Sequence, residues 1–551
     1  MPTDLGFVPV QLLQYMLLFL GAYAIGKSFF GHKDKEWWTS QPVVGTRNEV
    51  LSWLRSLLRS VVLTQDLVFE GYAKYSKYNT YFTIPIIDRA RMMIIPQTQL
   101  REIYTLPEAV LDAVNTNAAL IQSPWTIWDH KVAPNDSGIL ANTIRNRITR
   151  NLAILTPQIA TELERGFERE WGFATSQWKT VHAWNSSMNL IAGAANSAFY
   201  GLPLCRNMWL LGLLQTHAKL LFFGSVLINC TPPLLRFVPG YSIGWACHFI
   251  FRLIAMITLP EIKKRLRDTA RRRANPNLPE TAPEDGLQWC IDESYATGDA
   301  DQLEPMRIAL RLVYLNDISM HSTSFTAANV ILDLASADPS LGYIKALREE
   351  SARVLKAAGG SWTRQAVSEL QLIDSAIRES MRMSPFNSIG VPRTVIDPHG
   401  ITVQQGSSAM KLPQGTIIGV PVAPIQYDER FYPNATEFRP FRFASDAALH
   451  KNLSPPHQAP TRSSGSVAEG KASVMIDETF LHFGFGKHAC PGRFFALNEV
   501  KLFVAHMVLN YDIEHLAVGR PKLKPILWLN APILGNFNVR VRKRDPIELR
   551  S

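Results

Sequence analysis

"LHFGFGKHACPGRFFALNEV", residues 481–500, sets three glycines and a proline around Cys490, one of five cysteines in 551 residues. A lone cysteine is ordinarily a small buried hydrophobe. That role explains neither Gly484, Gly486 and Gly492 nor the basic residues Lys487 and Arg493 nearby. Glycines let the backbone run close to a thiolate and aim N–H groups at it, and a metal-binding thiolate needs that support and an open approach. A zinc site asks for four Cys or His ligands at short spacing; His482 and His488 are near, but a set of four is not. A single thiolate therefore suits a metal whose other ligands belong to a cofactor, as in haem iron.

Working outward, the other cysteines, Cys205, Cys230, Cys247 and Cys290, follow neither a disulfide-scaffold nor a CxxC spacing, so a reducing, cytosol-facing compartment fits. With 46% hydrophobic and 19% charged residues, the chain can bury a large core. The net charge of +10 admits nucleic acid, anionic lipid or an acidic protein as partner; without basic and aromatic interleaving, nucleic acid ranks last. Residues 7–26, "FVPVQLLQYMLLFLGAYAIG", carry no charge and match the length of a bilayer-spanning helix. Lys27, Lys33 and Lys35 follow, against Asp4 before, so the positive-inside rule places the bulk of the chain in the cytosol. A cleaved signal peptide would need a basic start and a shorter apolar core. The expected organisation is an anchor over 1–30, a linker over 31–50 that includes "WWTSQPVVGTRNEV" (Trp37–Val50), and one catalytic body over 51–551.

Hydrophobic periodicity predicts amphipathic helices over Asn142–Trp171 and Pro260–Pro276. The basic run from Lys263 to Arg273 reads first as a solvated helix face, second as a lipid or partner contact. Met208–Phe251 is strongly apolar but broken by Lys219, a Pro-Pro pair, Arg236 and Pro239, which suits a pair of helices that dips into a membrane surface or walls a greasy pocket. "GITVQQ" and "GTIIGVPV" read as short strands, and Ala444–Ala472, poor in apolar residues, as a mobile surface loop. The fold expected is mainly α with a minor β portion.

"FGFGKHACPG" (Phe483–Gly492) resembles the cysteine-ligand loop of the cytochrome P450 monooxygenases: Phe, two later glycines, a basic residue, Cys, and Gly two positions beyond, with His488 where Arg is commoner. "ESMR" (Glu379–Arg382) is similar to the family's ExxR, and "FRPFRF" (Phe438–Phe443) to its later arginine segment, which would join Arg442 to Glu379 and Arg382 in a buried network. The resemblance implies the P450 fold behind a single N-terminal transmembrane helix, and heme b held by Cys490 within a loop that uses Phe483, Gly486, His488 and Gly492. Arg393 in "VPRT", His488 and Arg145 would meet the haem propionates, which need cations. "GLPLCRN" (Gly201–Asn207) and Gly486–Lys501 look closest to fungal enzymes of secondary metabolism, the gibberellin and indole-diterpene oxidases.

In that family the thiolate pushes electron density onto iron to split the O–O bond of dioxygen, and an acid–alcohol pair in a long helix delivers protons. The corresponding stretch here is "NDISMHSTS" (Asn316–Ser324) within a helical pattern from about Leu303 to Ala335. His321 stands at the acid and Ser322 at the alcohol, with Thr323 and Ser324 following; Asp317, one turn earlier, is expected to orient the His321 imidazole. The bland alternative is that these hydroxyls only bond back to carbonyls four residues before. Ser123–Asp136, the helix near His321, Pro385–Val391 and Asn530–Gly535 should wall a pocket for a bulky apolar terpenoid, polyketide or alkaloid. The chain carries no flavin or nicotinamide fingerprint, so the resemblance implies a separate NADPH-cytochrome P450 reductase at an endoplasmic reticulum membrane. Lys487, Arg493 and Lys501 are candidate contacts for its acidic surface. The expected reaction inserts one oxygen atom into the substrate. The rivals are an isomerase, dehydratase or desaturase of the same fold, and a non-catalytic haem-binding protein.

Overall fold

The computed structural model describes residues 35–89, 91–127, 129, 138–231, 233–277, 282–405, 408–452, 470–523, 525–530 and 537–545. The expected span at 7–26 lies outside the described residues. The principal helices, in chain order, are α1 (Ser52–Lys74), α2 (Leu152–Trp171), α3 (Ala183–Phe199), α4 (Met208–Cys230), α5 (Phe237–Ala274), α6 (Gly286–Ala296), α7 (Pro305–Ser336), α8 (Tyr343–Ala357), α9 (Gln371–Met383), α10 (Asp446–Asn452) and α11 (Arg493–Asn510). The strands are β1 (Phe82–Ile84), β2 (Met92–Ile94), β3 (Leu111–Asp112), β4 (Lys179–His182), β5 (Gly390–Val395), β6 (Ile401–Gln405), β7 (Ser408–Leu412), β8 (Ile417–Val420), β9 (Tyr511–Ile513) and β10 (Asn538–Lys543). They form a five-stranded sheet ordered β1-β2-β8-β5-β3, a three-stranded sheet β4-β10-β9, and the hairpin β6-β7. Only the β2–β8 pairing is parallel among the described strands.

Helix α7 is the axis of the helical body. It opens with Pro305, whose missing N–H costs nothing in a first turn, and packs against α3, α4, α5, α9 and α11. Every residue from 308 to 317 and from 323 to 335 is buried. A helix buried on nearly all sides is a core helix; its accessible middle positions, Ile318, Ser319 and Ser322, open on a cavity. Helix α9 crosses α7, and its first turn is capped from outside: the Glu350 carboxylate of α8 accepts the N–H groups of Gln371, Leu372 and Ile373 at 2.9, 2.8 and 3.0 Å.

The apolar stretch 208–251 folds as the expected pair of helices, α4 and α5, which pack on each other and on α7. Asn207 caps α4 by accepting the Leu210 N–H at 3.1 Å. Both helices are long and apolar enough to cross a membrane by length and composition. Their outer faces leave Trp209, Phe223, Tyr241, Trp245, Phe249 and Met256 exposed. Gly240 and Gly244 let α5 close on Trp125: a Cβ at either position would come within 2.6 Å of the Trp125 ring or carbonyl.

Within the expected linker, Val44 is 3% exposed and the backbone around it pairs with Thr83 at 2.8 and 2.9 Å. Three expectations need correction. Asn142–Trp171 is not one helix: a π-helical turn over Thr143–Ile148 precedes α2. Pro260 does not start a helix but lies inside α5, which carries the basic run as its C-terminal end. Within Ala444–Ala472, residues 446–452 form α10 with Ala448 and Leu449 buried, while 453–469 lie outside the described residues. A short amphipathic turn needs only two apolar side chains to dock, too few to register as periodicity.

Candidate active site

The cysteine loop is shaped by hydrogen bonds between its own ends. The Cys490 N–H reaches the Phe483 carbonyl at 2.8 Å, and Gly484 and Gly486 turn the chain at φ +80° and +64°, where a Cβ would be strained. Pro491 and Gly492 then lead into α11. Burial pushes the Cys490 thiol up, against which the N–H groups of Gly492 and Arg493 and the Arg493 charge act on its sulfur. The exposed face of Cys490 opens on a cavity of about 360 Å³. Phe483, Ile144, Leu315, Phe386, Val391 and Trp528 give that cavity an apolar wall. Among the described residues no group of three His, Cys, Asp or Glu side chains could hold a metal, so a protein-only zinc site finds no support.

Arg393 is 4% exposed and, among the described residues, has no carboxylate within salt-bridge distance. Its guanidinium lies 5.2 Å from the Tyr104 ring centre and donates to the Pro392 carbonyl at 2.8 Å. The register of β5 against β8 shifts between Gly390 and Arg393, with Val391 at φ +48°, and such an irregularity re-aims a side chain. A buried cation facing the same cavity as a thiolate fits a group that brings its own carboxylates, as haem does. His488 lines the cavity too, with its Nε2 2.6 Å from Glu108 Oε2. Partial burial would raise the Glu108 carboxyl, but the N–H groups of Ala113 and Val114 together with His488 hold it below the usual range. Arg145 is exposed on the π-helical turn and is not part of the cavity wall; its neighbour Ile144 is.

Glu379, Arg382 and Arg442 come together in one network. Arg382 clasps Glu379 with Nε and Nη2 at 2.8 and 2.9 Å, and Arg442 Nε lies 3.0 Å from both carboxylate oxygens. Glu379 and Arg382 have no exposed side-chain surface and Arg442 has 8%. Arg382 also donates to the Gln426 and Ala435 carbonyls at 2.7 Å each, which ties α9 to the following chain.

On α7 the expected roles divide. Ser322 and Thr323 line the cavity, joined by Ser319 and Thr326. Their hydroxyls do bond back along the helix: Thr323 to the Ser319 carbonyl at 2.9 Å and Thr326 to that of Ser322 at 3.1 Å. His321 faces elsewhere. It packs 5.0 Å from Phe222 and 6.1 Å from Trp184 between ring centres, and burial lowers its pKa to about 4, keeping it neutral. Asp317 does not orient His321; its carboxylate oxygens sit 2.9 and 3.1 Å from Nδ1 of His217 on α4. At i, i+4 on one helix the two side chains are close enough to meet, yet α4 offers Asp317 a partner from outside the helix. Asn117 and Trp528 are cavity-lining residues that sequence reading missed, and His217 is a partner of Asp317 that it missed; only the packing of separate elements brings them in.

Of the expected pocket walls, Pro385–Val391 contributes; residues 531–535 and most of 128–136 lie outside the described residues. Of the expected reductase contacts, Lys501 is held by Asp374 at 2.7 Å and Arg493 donates to the Cys490 carbonyl at 2.9 Å, while Lys487 is exposed.

The cytochrome P450 family model matches residues 210–536, more than half of the chain. The chain is 38% identical over 93% of its length to cytochrome P450 monooxygenase okaG of Penicillium ochrochloron, covering 95% of that protein. It is 30% identical to monooxygenase gloP of Glarea lozoyensis, covering 92% of this chain and 91% of that one, and 30% identical to monooxygenase htyF of Aspergillus rugulosus, covering 88% and 69%. Likeness on that scale, over a chain whose one accessible cavity-facing cysteine sits on the family's own ligand loop, has a plain meaning: this protein belongs to the cytochrome P450 family and is a monooxygenase.

Proposed function

We propose that the protein is a membrane-anchored heme b enzyme that hydroxylates a bulky, largely apolar fungal secondary metabolite. Its electrons would come from a separate NADPH-cytochrome P450 reductase at the endoplasmic reticulum. The observation that carries this reading is the Cys490 sulfur at the wall of an apolar cavity that the hydroxyl-bearing face of α7 also lines. Haem iron bound at Cys490 supplies the activation of dioxygen. Gly492 and Arg493 hold the thiolate through backbone N–H groups. Arg393 would pair with one propionate. His488, steadied by Glu108, would meet the other. Ser322 and Thr323 would position water and pass protons into the cavity, each hydroxyl keeping lone pairs free beyond its helix carbonyl. Phe386, Leu315 and Trp528 would exclude bulk water and hold the substrate by shape.

The outer faces of α4 and α5, with exposed aromatics followed by the basic end of α5, support contact with a membrane surface beyond the N-terminal anchor. Co-expression with a reductase in a host that accumulates candidate scaffolds, followed by product identification, tests the function. The reduced carbonyl complex should give the thiolate-type Soret band, and Cys490→Ala should abolish it. Turnover that persists without NADPH and reductase would overturn the oxygenase reading in favour of an isomerase or dehydratase.

A further inference from the structure

The cysteine loop shapes itself, but its own bonds do not decide where it sits. The bond from the Cys490 N–H to the Phe483 carbonyl closes the turn, and its left-handed glycines, Gly484 and Gly486, carry no side chain that could anchor it. A thiolate that has to meet a metal at one distance needs its loop fixed to something rigid. Helix α9 offers such a base, since every residue from 372 to 382 is buried.

On the entry side of the loop, Ser473 is fully buried and bonded twice to Asp374 of α9. Its N–H donates to Oδ2 at 2.7 Å and its hydroxyl to Oδ1 at 2.5 Å. On the exit side, Lys501 of α11 reaches the same carboxylate, with Nζ 2.7 Å from Oδ1. One carboxylate therefore holds both the chain before the loop and the helix after it. The Asp374 and Lys501 side chains are 10% and 13% exposed, so salt screens the pair little.

One turn along α9, Arg378 grips the entry segment again. Its Nη1 donates to the Ala472 and Met475 carbonyls at 2.7 Å each, and its guanidinium lies over the Phe480 ring, 3.8 Å from the centre. Phe480 stacks on His482 at 6.2 Å, and His482 meets Phe483 at 5.3 Å, where the turn that carries the thiolate begins. Asp374 and Arg378 are four residues apart and share a face of α9. No side-chain hydrogen bond among the described residues joins them to Glu379, Arg382 or Arg442.

We propose that Asp374 is a positioning residue for the thiolate: through Ser473 and Lys501 it fixes both flanks of the ligand loop to α9, with Arg378 as a second hold on the entry flank. Lys501 then serves the loop rather than a redox partner. The proposal rests on the haem-thiolate reading of Cys490 and adds to it the element that sets where the sulfur stands.

Detergent-solubilised holoenzyme of the full chain is compared as wild type, Asp374→Asn, Lys501→Met, Lys501→Arg, the Asp374→Asn/Lys501→Met double variant and Ser380→Ala. Each is reduced, bound to carbon monoxide and held in urea below its unfolding midpoint. The rate at which the thiolate-type Soret band is lost while haem stays bound is then followed. Loss of a hydrogen bond between charged groups predicts a rate higher by about tenfold or more in Asp374→Asn and in Lys501→Met. The double variant should be no faster than Asp374→Asn, because both changes remove one node, and Lys501→Arg should restore the wild-type rate. Ser380→Ala loses a buried 2.6 Å bond from α9 to Asp333, away from the loop, so it should lower the urea midpoint and leave the rate unchanged.

A wild-type rate in Asp374→Asn or in Lys501→Met overturns the proposal. So does a double variant whose rate is the product of the two single effects, or a rise in Ser380→Ala as large as theirs. If Asp374→Asn yields no haem-loaded protein, the contrast between Lys501→Met and Lys501→Arg decides alone. A wild type without the thiolate-type band would refute the haem-thiolate reading instead.

Discussion

Replacing His217 by alanine removes the imidazole that faces Asp317 across the α4–α7 interface, where the two side chains are 2% and 1% exposed. Burial raises the Asp317 carboxyl and His217 counters that rise, so without His217 the acid is left with desolvation alone. An uncompensated buried carboxylate costs several kcal/mol, and the carboxyl avoids that cost by taking a proton. Removing one partner of a buried pair costs about 3–5 kcal/mol in all. The sign follows from proton counts. The folded variant binds a proton that the unfolded chain releases above about pH 4, so its stability falls as pH rises from there toward the folded pKa. The loss relative to wild type should therefore shrink as the pH is lowered from 7 toward 5. Urea midpoints of the detergent-solubilised holoprotein at pH 5, 6 and 7 measure it. The His217→Ala/Asp317→Asn double variant, which keeps the cavity but removes the charge, should recover most of the pH 7 loss. Equal losses in the single and double variants, or a loss independent of pH, would refute the claim that the pair is held by electrostatics rather than by packing.

Two further outcomes follow from the same geometry. Thr323→Val removes a hydroxyl that lines the cavity and should raise the share of reducing equivalents released as peroxide by several-fold, whereas His321→Phe, which suits the ring cluster with Phe222 and Trp184, should leave coupling within about twofold of wild type; peroxide yields in NADPH-limited turnover separate them, and the reverse pattern would return the proton step to His321. Glu379→Ala strands the guanidinium groups of Arg382 and Arg442 without their carboxylate and should cost about 3–5 kcal/mol, read as loss of folded, haem-loaded protein in purified yield; a yield equal to wild type would mean that the carbonyls around Arg382 suffice.

Local chemistry made part of this molecule readable from its letters. The cysteine loop is a contiguous run in which glycine conformation, one thiolate and one basic residue lie within ten positions, and Phe483, His488, Cys490 and Gly492 of that run line the cavity. Glu379 and Arg382 sit one turn apart on a helix, so their meeting is a property of helical geometry. Even the paired helices of 208–251 were legible, because prolines and two charges interrupt an otherwise apolar run. The error at His321 has an equally local origin. A position in a motif states where a side chain leaves the helix axis relative to its neighbours, while the direction of the cavity depends on which helices surround that axis.

What the sequence by itself determined is therefore the thiolate loop, the ExxR helix, the long central helix and the membership that these imply, since each depends on residues a few positions apart. What only the tertiary structure decided is which face of α7 meets the cavity, and that Asp317 answers His217 on a separate helix rather than His321 four positions on. Such contacts join segments a hundred residues apart. Their partners are selected by the packing of helices and sheet around a common core, where an unpaired buried charge or acceptor costs more than any local preference can offset.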